Sequence, residues 1–243
     1  MSKYKVILCV YHWVGCKVLE HVLQREDISD VAVFTHKPTD ETPDISEVAK
    51  THDIYYSFNS INQSILPFKP DIISSVYYRY IIKPKIIRAC NGKIFNMHPS
   101  LLPKHRGCSS VPWSIIEGDN ITGVSFHYID ESIDTGRIIL QAAIPIRDDE
   151  TQATLYQTIM ERGLSFWPSA FELVKIGISG VEQFGEPSYH LRGCPYNGEI
   201  NDEWSLEKVE RFIRAMIYPP YPTASYKGQA ITSLYEYLKL SGR

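Results

Sequence analysis

The chain has 243 residues, of which 44% are hydrophobic and 22% charged, and its formal net charge is −3. This balance supports a sizeable core but gives no basic field for nucleic acid or anionic membranes, and no apolar run approaches the roughly 18 residues of a membrane span. Five cysteines, an odd number with no C-x-x-C pair, favour a reduced protein over a disulfide framework. Because the apolar run at residues 6–10 is too short for a signal-peptide core, we expect a soluble, cytoplasmic protein.

The first part of the chain predicts strands that alternate with helices. Predicted strands lie at residues 4–11, 30–35, 71–78 and 93–97, with an extended segment at 54–56. Predicted helices lie at residues 15–24, 45–51, 59–68 and 83–90. Near-continuous apolar strands in this alternation indicate an α/β fold, with a Rossmann-like, mostly parallel sheet covered on both faces.

From residue 121 the pattern changes. Two strands, at residues 123–129 and 138–146, are joined by a loop over 130–136. A long helix is predicted over 153–176, with a break or kink at Gly163 and Pro168. Turn residues and one more helix, at 205–215, follow. We expect a catalytic core over residues 1–180 and a small C-terminal helix/β-hairpin subdomain over 181–243.

Two polar side chains stand at the end of one predicted strand. Asn96 and His98 are two residues apart, so they point to the same face, and Pro99 then ends the ladder because it has no N–H. Open α/β sheets bind their ligands at such strand ends. Asp134, in the turn Asp134-Thr135-Gly136, adds a carboxylate, so that the chain offers an amide, an imidazole and a carboxylate suited to moving an acyl group onto an amine.

These residues carry a family resemblance. Asn96-x-His98-Pro-Ser-Leu-Leu-Pro, then Arg106-Gly107, then Ile-Asp134-Thr-Gly resembles the folate-dependent formyltransferases. The resemblance implies that Asn96, His98 and Asp134 are catalytic and that the formyl donor is N10-formyltetrahydrofolate. Asn96 and His98 would stabilise the oxyanion, and His98 would accept the amine proton. Asp134 would either pair with His98 or relay protons through water.

The resemblance also implies where the pterin of the donor binds. In the family the pterin lies between the loop after the fourth strand and the loop that holds the aspartate. The matching residues are Tyr80, Ile81, Ile82, Ile129, Asp130 and Ile133. Backbone groups would read the pterin edge, while Ile81 and Ile133 would line an apolar slot. Without the resemblance, Ile81 and Ile82 would be interpreted as ordinary core residues.

The C-terminal part resembles the nucleotide-sugar members of the family, through an Asn-Gly-x-Ile-Asn turn at 197–201, an Ile-Arg-Ala helix end and a Pro-x-Pro-x-Ala segment. Asn197 and Asn201 stand where acids are usual. The implied substrate is a nucleotide-linked amino sugar, most closely dTDP-4-amino-4,6-dideoxyglucose, for a surface polysaccharide such as O-antigen, and the implied assembly is a homodimer. Aromatic and cationic side chains suited to base and pyrophosphate are Trp13, Arg79, His105, Arg106 and Tyr221.

Several alternatives remain open at this point. Glycinamide ribonucleotide transformylase shares the catalytic residues, and methionyl-tRNA formyltransferase needs a basic C-terminal domain that the charge balance does not suggest. A metal-dependent hydrolase would use His98, His105 and His127, but no H-E-x-x-H or paired-ligand spacing supports it, so no metal site is predicted. A dinucleotide site is not indicated either, because the first strand-to-helix turn lacks G-x-G-x-x-G. A non-catalytic nucleotide-binding module would leave the catalytic residues without a role.

Overall fold

The computed structural model describes residues 3–40 and 42–243; Met1, Ser2 and Glu41 of the predicted core lie outside this description. The strands, in chain order, are β1 (Tyr4–Val10), β2 (Ile28–Phe34), β3 (Tyr55–Ser57), β4 (Ile72–Val76), β5 (Ile94–His98), β6 (Arg106–Gly107), β7 (Ile121–Tyr128), β8 (Ile138–Pro145), β9 (Tyr189–His190), β10 (Ala224–Tyr226) and β11 (Gln229–Ile231). The helices are α1 (His12–Leu23), α2 (Ile45–Thr51), α3 (Pro84–Ala89), α4 (Ser110–Ile116), α5 (Gln152–Ile176), α6 (Leu206–Ala215) and α7 (Leu234–Ser241).

The main sheet has seven strands in the order β3-β2-β1-β4-β5-β7-β8. Strands β3, β2, β1, β4 and β5 pair in parallel, and β7 pairs antiparallel to β5. The predicted α/β, mostly parallel sheet is confirmed. Its central strands are buried: every residue of β4 is buried, including Ser74 and Ser75.

Two compact units divide the chain. Unit 1 consists of Met1–His98, Ser125–Gln141 and Gly163–Gln183, and unit 2 of Pro99–Val124, Ala142–Arg162 and Phe184–Arg243. The boundary predicted at residue 180 lies close to residue 184, where the last segment of unit 2 begins. Unit 2 also contains two earlier segments, which lie within the predicted core. Among the residues described, no helix is both long and apolar enough to span a bilayer.

In unit 1, the predicted break in the long helix is wrong. Helix α5 runs through Gly163 and Pro168 without interruption. A proline inside a helix costs about 3 kcal/mol because it removes one hydrogen bond and crowds the preceding turn. Burial of Trp167, Phe171 and Val174, each at most 1% exposed, outweighs that cost. The indole of Trp167 also donates a 3.0 Å hydrogen bond to Ser74 Oγ on β4.

The helix predicted over residues 59–68 is also wrong, because only a 3-10 turn, Ile61–Gln63, forms there. Ser60 Oγ accepts from Asn62 N, and Ser64 Oγ donates to Ser60 O. Such local side-chain hydrogen bonds compete with the helical ladder, and Pro67 cannot donate to it.

Unit 2 contains the predicted C-terminal helix and hairpin. Helix α6 packs on α4, and β10 and β11 pair around Lys227 and Gly228. Both turn residues have positive φ, at 50° and 77°, as a two-residue hairpin turn with the twist of the flanking strands requires. Strand β6 pairs in parallel with β9, so that a second, two-stranded sheet joins the segments around residues 106 and 190.

Candidate active site

Strands β5 and β7 place four polar residues, all of them in unit 1, on one face. The antiparallel register sets Asn96 opposite His127 and His98 opposite Ser125. Residues two apart on a strand share a face, so the register brings both pairs to the same side of the sheet. The structure therefore adds His127 and Ser125 to the two strand-end residues that the sequence singled out. Gln141 of β8 donates from Nε2 to Ser125 Oγ at 2.8 Å and extends this polar row.

Hydrogen bonds determine how Asn96 and His127 face each other. The Nδ1–H of His127 donates to the carbonyl oxygen of Tyr128 at 2.9 Å. In the neutral ring this leaves a lone pair on Nε2, which accepts the amide Nδ2 of Asn96 at 3.2 Å. Because His127 is only 2% exposed, it is a buried support that orients the Asn96 amide.

The carboxylate of Asp134 lies between the two histidines. Its Oδ2 is 3.5 Å from Nδ1 of His98, and its Oδ1 is 3.4 Å from Nε2 of His127. The His98 side chain is 5% exposed and that of Asp134 is 14% exposed, so this contact is shielded from solvent. The structure thus brings the three predicted catalytic residues, Asn96, His98 and Asp134, together in unit 1. Pairing of Asp134 with Nδ1 of His98 leaves Nε2 of that ring as its proton acceptor.

The loop that carries Asp134 is held tightly against β7. Asp134 adopts the left-handed conformation at φ 54°, which aspartate tolerates better than most residues. A Cβ on Gly136 would lie 1.8 Å from the carbonyl oxygen of Tyr128, so only glycine fits there. Gln183 donates from Nε2 to the carbonyl oxygens of Asp134 and Gly136, at 2.8 and 2.9 Å. The close approach of Gly136 to Tyr128 and the two hydrogen bonds from Gln183 therefore position Asp134, and sequence reasoning missed Gln183.

The loop after β4 exposes two of its three predicted pterin contacts. Tyr80 is 45% exposed and Ile81 is 69% exposed, so both side chains are accessible to a ligand. Ile82 is 6% exposed and belongs to the hydrophobic core of unit 1, so only its main chain is left for a ligand. Asn62 holds this loop, because its Nδ2 donates to Ile81 O at 2.8 Å and its Oδ1 accepts from Lys83 N at 2.9 Å.

Of the three pterin contacts predicted near Asp134, one has an exposed side chain and the other two have side chains that serve the fold. Ile133 is 49% exposed and is available to an apolar ligand surface. Ile129 packs against the core instead, although its main chain follows the end of β7. The carboxylate of Asp130 accepts hydrogen bonds from Ser132 N at 3.2 Å and from the Thr135 hydroxyl at 2.7 Å, so it shapes the loop.

Four of the five predicted substrate residues are half-buried or exposed, and are therefore accessible to a ligand. In unit 1, Trp13 is half-buried on α1 and Arg79 is exposed after β4, where its N–H donates to His36 Nε2 at 3.0 Å. In unit 2, Arg106 donates to the hydroxyl of Tyr189 at 2.7 Å. Tyr221 is 62% exposed and stacks on Tyr218, which leaves one ring face for a planar ligand.

His105, the fifth predicted substrate residue, is not available for direct contact. It is 1% exposed; its Nε2 donates to Asp119 Oδ2 at 2.7 Å, and its Nδ1 lies 2.9 Å from His190 Nε2. Burial raises the pKa of Asp119, but hydrogen bonds from His105 and Lys104 outweigh it, so that the pKa is lowered overall. Burial, and then the nearby His105, lower the pKa of His190 to about 4. The structure corrects the sequence prediction because both ring nitrogens of His105 are engaged inside unit 2.

The hypothetical metal set of His98, His105 and His127 receives no support. Within the described part of the chain, the one group of side chains close enough to share an ion is His105, Glu117 and His190. That group contains neither His98 nor His127. The side chains of Asn96, His98 and Asp134 are an amide, an imidazole and a carboxylate, and these groups are suited to acyl transfer.

Comparison with known proteins agrees with this chemistry. Residues 18–171 match the family described as formyl transferase. The chain belongs to the formyl transferase family. A relative described as GDP-perosamine N-formyltransferase, from Brucella melitensis biotype 1, is 34% identical over 206 residues, which cover 83% of this chain and 80% of the relative. The predicted family and the predicted formyltransferase class of this enzyme are confirmed.

Solved structures share the fold of this formyltransferase. One is WlaRD, described as a sugar 3N-formyl transferase in the presence of dTDP and 5-N-formyl-THF, with a TM-score of 0.81 at 23% identity over 96% of this chain and 86% of that one. Another is an N-formyltransferase from Helicobacter canadensis, in complex with folinic acid and dTDP-3-aminofucose. Its TM-score is 0.79 at 24% identity, over 96% of this chain and 87% of that one.

Proposed function

We propose that this formyltransferase moves the formyl group of N10-formyltetrahydrofolate onto the amine of a nucleotide-linked 4-amino-4,6-dideoxyhexose. The observation that carries formyl transfer is the carboxylate of Asp134, which lies 3.5 Å from His98 and 3.4 Å from His127, while His127 holds the amide of Asn96. This cluster supplies a hydrogen-bond donor for an oxyanion and a shielded base within one unit.

Each residue of the cluster has a distinct role in the reaction. The sugar amine attacks the formyl carbon, a C–N bond forms, and the carbonyl oxygen becomes negative. The second N–H of the Asn96 amide donates to that oxygen, a contribution that typically changes the rate by about a hundredfold or more. Nε2 of His98 takes the proton of the amine while Asp134 stabilises the imidazolium. The tetrahedral species then collapses and the bond to N10 breaks; N10 receives the proton that His98 took from the amine, and tetrahydrofolate leaves.

The exposed apolar side chains in unit 1 support a folate donor. Tyr80 and Ile81 lie on the loop after β4, and Ile133 lies on the loop that carries Asp134. Each of the three side chains is between 45% and 69% exposed. A pterin is planar and has polar edges, so it pairs apolar ring faces with main-chain hydrogen bonds. Asn62 and Gln183 hold the main chain of these loops in place.

The choice of sugar rests on the relatives. Perosamine is a 4-amino-4,6-dideoxyhexose, as is the sugar that the C-terminal resemblance suggested. The GDP-perosamine enzyme is 34% identical to this chain, whereas the two dTDP-associated structures are 23% and 24% identical. We therefore place GDP-perosamine first and dTDP-4-amino-4,6-dideoxyglucose second. Either product would be a building block for surface polysaccharide.

A direct assay tests the proposal. The enzyme is incubated with N10-formyltetrahydrofolate and, in parallel, with GDP-perosamine, dTDP-4-amino-4,6-dideoxyglucose, a dTDP-3-amino sugar and a UDP-4-amino sugar. Mass spectrometry shows which sugar gains one formyl group. We expect the 4-amino sugars to react and GDP-perosamine to have the highest kcat/KM. Formylation of the 3-amino sugar alone would refute the assignment of the amine position.

A homodimer, predicted from the resemblance, remains a proposal. Phe184 and Leu191 are 96% and 90% exposed in unit 2, and an apolar surface of this kind favours self-association. Light scattering at micromolar concentration measures the mass in solution, and we expect twice the mass of one chain. A measured mass of one chain would contradict the homodimer.

A further inference from the structure

Three potential metal ligands converge inside unit 2, and none of them belongs to the cluster of Asn96, His98 and Asp134. His105 lies just before β6, Glu117 caps the C-terminal end of α4, and His190 ends β9. His105 Nδ1 is 2.9 Å from His190 Nε2, and the carboxylate oxygens of Glu117 lie 4.0 Å from the first nitrogen and 3.9 Å from the second. The fold thus brings together residues that no local spacing pattern connects.

The hydrogen bonds of His105 determine which of its nitrogens can bind a metal. Nε2 must carry the proton, because its 2.7 Å partner is the carboxylate of Asp119, which can only accept. Nδ1 therefore has the lone pair, and it points at His190. A carboxylate that accepts from the far nitrogen of a histidine is the usual support for a metal-binding imidazole, since it fixes the tautomer and increases the basicity of the ligand.

We propose that His105 Nδ1, His190 Nε2 and the Glu117 carboxylate bind one divalent transition-metal ion, with Zn²⁺ the best match. Two imidazoles and a carboxylate form a known three-ligand zinc set, and a water would complete the tetrahedron. The ion takes the place of the single proton that the two rings share. The role we assign to the ion is to link β6, β9 and the end of α4, because none of its three ligands belongs to the cluster of Asn96, His98 and Asp134.

Small side-chain movements are enough to form the site. Bonds of about 2.0–2.1 Å at a tetrahedral angle place ligand atoms roughly 3.3 Å apart. The two ring nitrogens need to separate slightly from 2.9 Å, and the Glu117 oxygens need to approach from 3.9–4.0 Å. Glu117 can move because its side chain is 40% exposed. The indole of Trp113 stacks on the His190 ring at 4.4 Å and keeps the plane of that ring fixed.

The consequence of binding is a cross-link within unit 2. Strand β9 is only two residues long and lies between the exposed side chains of Phe184 and Leu191. Its pairing with β6 depends on few main-chain hydrogen bonds. A metal ion that joins His190 to His105 and Glu117 would stabilise this pairing, because a ligand that binds only the folded state raises its stability by mass action.

Metal titration of the full-length protein tests the proposal. The protein is treated with EDTA, dialysed and titrated with ZnCl2 by calorimetry, and CoCl2 then reports the geometry through visible absorption. We expect one ion per chain, tetrahedral Co²⁺ bands and a thermal midpoint that rises by several degrees with Zn²⁺. His190→Gln and Glu117→Gln should weaken binding at least about tenfold, and Asp119→Asn about tenfold to a hundredfold.

Two control variants test whether Zn²⁺ binding is specific to this site. His52→Gln changes an exposed histidine of unit 1 and should bind Zn²⁺ as the wild type does. Asp134→Asn removes the carboxylate of the catalytic cluster and should also retain binding. The proposal is overturned if no Zn²⁺ binds, if His190→Gln and Glu117→Gln bind normally, or if Asp134→Asn abolishes binding. Because the readouts are binding and midpoint, their failure would not affect the formyl-transfer assignment.

Discussion

Asn96 on β5 and His127 on β7 are directly opposed, and the amide of Asn96 donates to His127 Nε2 at 3.2 Å. The carbonyl of Tyr128 accepts from the other ring nitrogen, so His127 presents a lone pair to the amide. The amide therefore cannot rotate freely, and its second hydrogen is held ready for the oxyanion. Electrostatic stabilisation of this kind depends on donors that are already oriented before the reaction.

We expect His127→Phe to lower kcat by roughly tenfold to a hundredfold with little change in either KM. Phenylalanine fills the same space but accepts no hydrogen bond, so Asn96 loses its orientation. Steady-state kinetics with both substrates measure this. His52→Phe, on an exposed turn, is the matched control and should keep the wild-type kcat. An unchanged kcat in His127→Phe would show that Asn96 needs no support.

We expect His98→Gln to lower kcat by about a hundredfold to ten-thousandfold, because the amine then has no general base. Glutamine keeps a polar side chain of similar size at this buried position, so folding should be retained. Turnover is measured by mass spectrometry, and sugar-nucleotide affinity by calorimetry. The affinity should stay close to that of the wild type. Near-normal turnover would exclude His98 as the base.

We expect Gly136→Ala to destabilise the protein by about 1–3 kcal/mol and to reduce kcat as well. Its Cβ would lie 1.8 Å from Tyr128 O, so the loop must shift and carry Asp134 away from His98. Urea unfolding and kinetics measure the two effects. Gly92→Ala is the control, since Gly92 has open space around its Cβ position but φ at 78°. It should lose stability through backbone strain and keep its kcat; an equal loss of kcat there would argue against the loop-shift explanation.

We expect Asp27→Asn to lose about 0.5–1 kcal/mol of stability at pH 7, and less in acid. Hydrogen bonds from Arg25 and then Lys175, at 2.8 Å each, hold the pKa of Asp27 well below its ordinary value, although its side chain is 35% exposed. A lowered folded-state pKa contributes stability above the unfolded value of about 3.9, and this stability is lost as pH falls through the folded pKa. The stabilities of the two proteins should therefore begin to converge below about pH 4 and become equal only when the pH falls below the folded-state pKa of Asp27.

Urea unfolding at several pH values measures this convergence. Asp53→Asn, at an exposed turn of the same unit, is the control and should follow the wild type at every pH. A difference between Asp27→Asn and the wild type that persisted unchanged at low pH would mean that packing, and not charge, accounts for it.

Much of the fold could be predicted because its signals are local. Apolar, β-branched runs at β1, β4 and β5 specify strands whatever lies beside them, and their alternation with helices implies parallel pairing. The two wrong helix predictions also come from local signals, which tertiary packing or side-chain hydrogen bonds overrode. Pro168 disfavours a helix by itself, but burial of Trp167 and Phe171 keeps α5 intact. The 59–68 segment has helical spacing, yet its serine and asparagine side chains bind the local backbone.

Part of the candidate site could also be predicted from local sequence signals. Alternate positions of β5 single out Asn96 and His98, and the same alternation in β7 places Ser125 and His127 on one face. Gln183 carries no such signal, because it contacts Asp134 O across 49 residues of chain. His105 reads as an exposed loop residue in the sequence, whereas it is buried against Asp119 and His190.

The sequence by itself therefore determined the α/β class and the family, and it singled out the three residues that we propose to be catalytic, since short-range periodicity and contiguous motifs encode them. Tertiary structure alone decided that His127 orients Asn96, that Asp134 lies between two histidines, and that His105, Glu117 and His190 meet. Each of these depends on strand register or on contacts between distant segments. Burial and loop closure act on the whole chain, and no short window of residues specifies which distant segments they bring together.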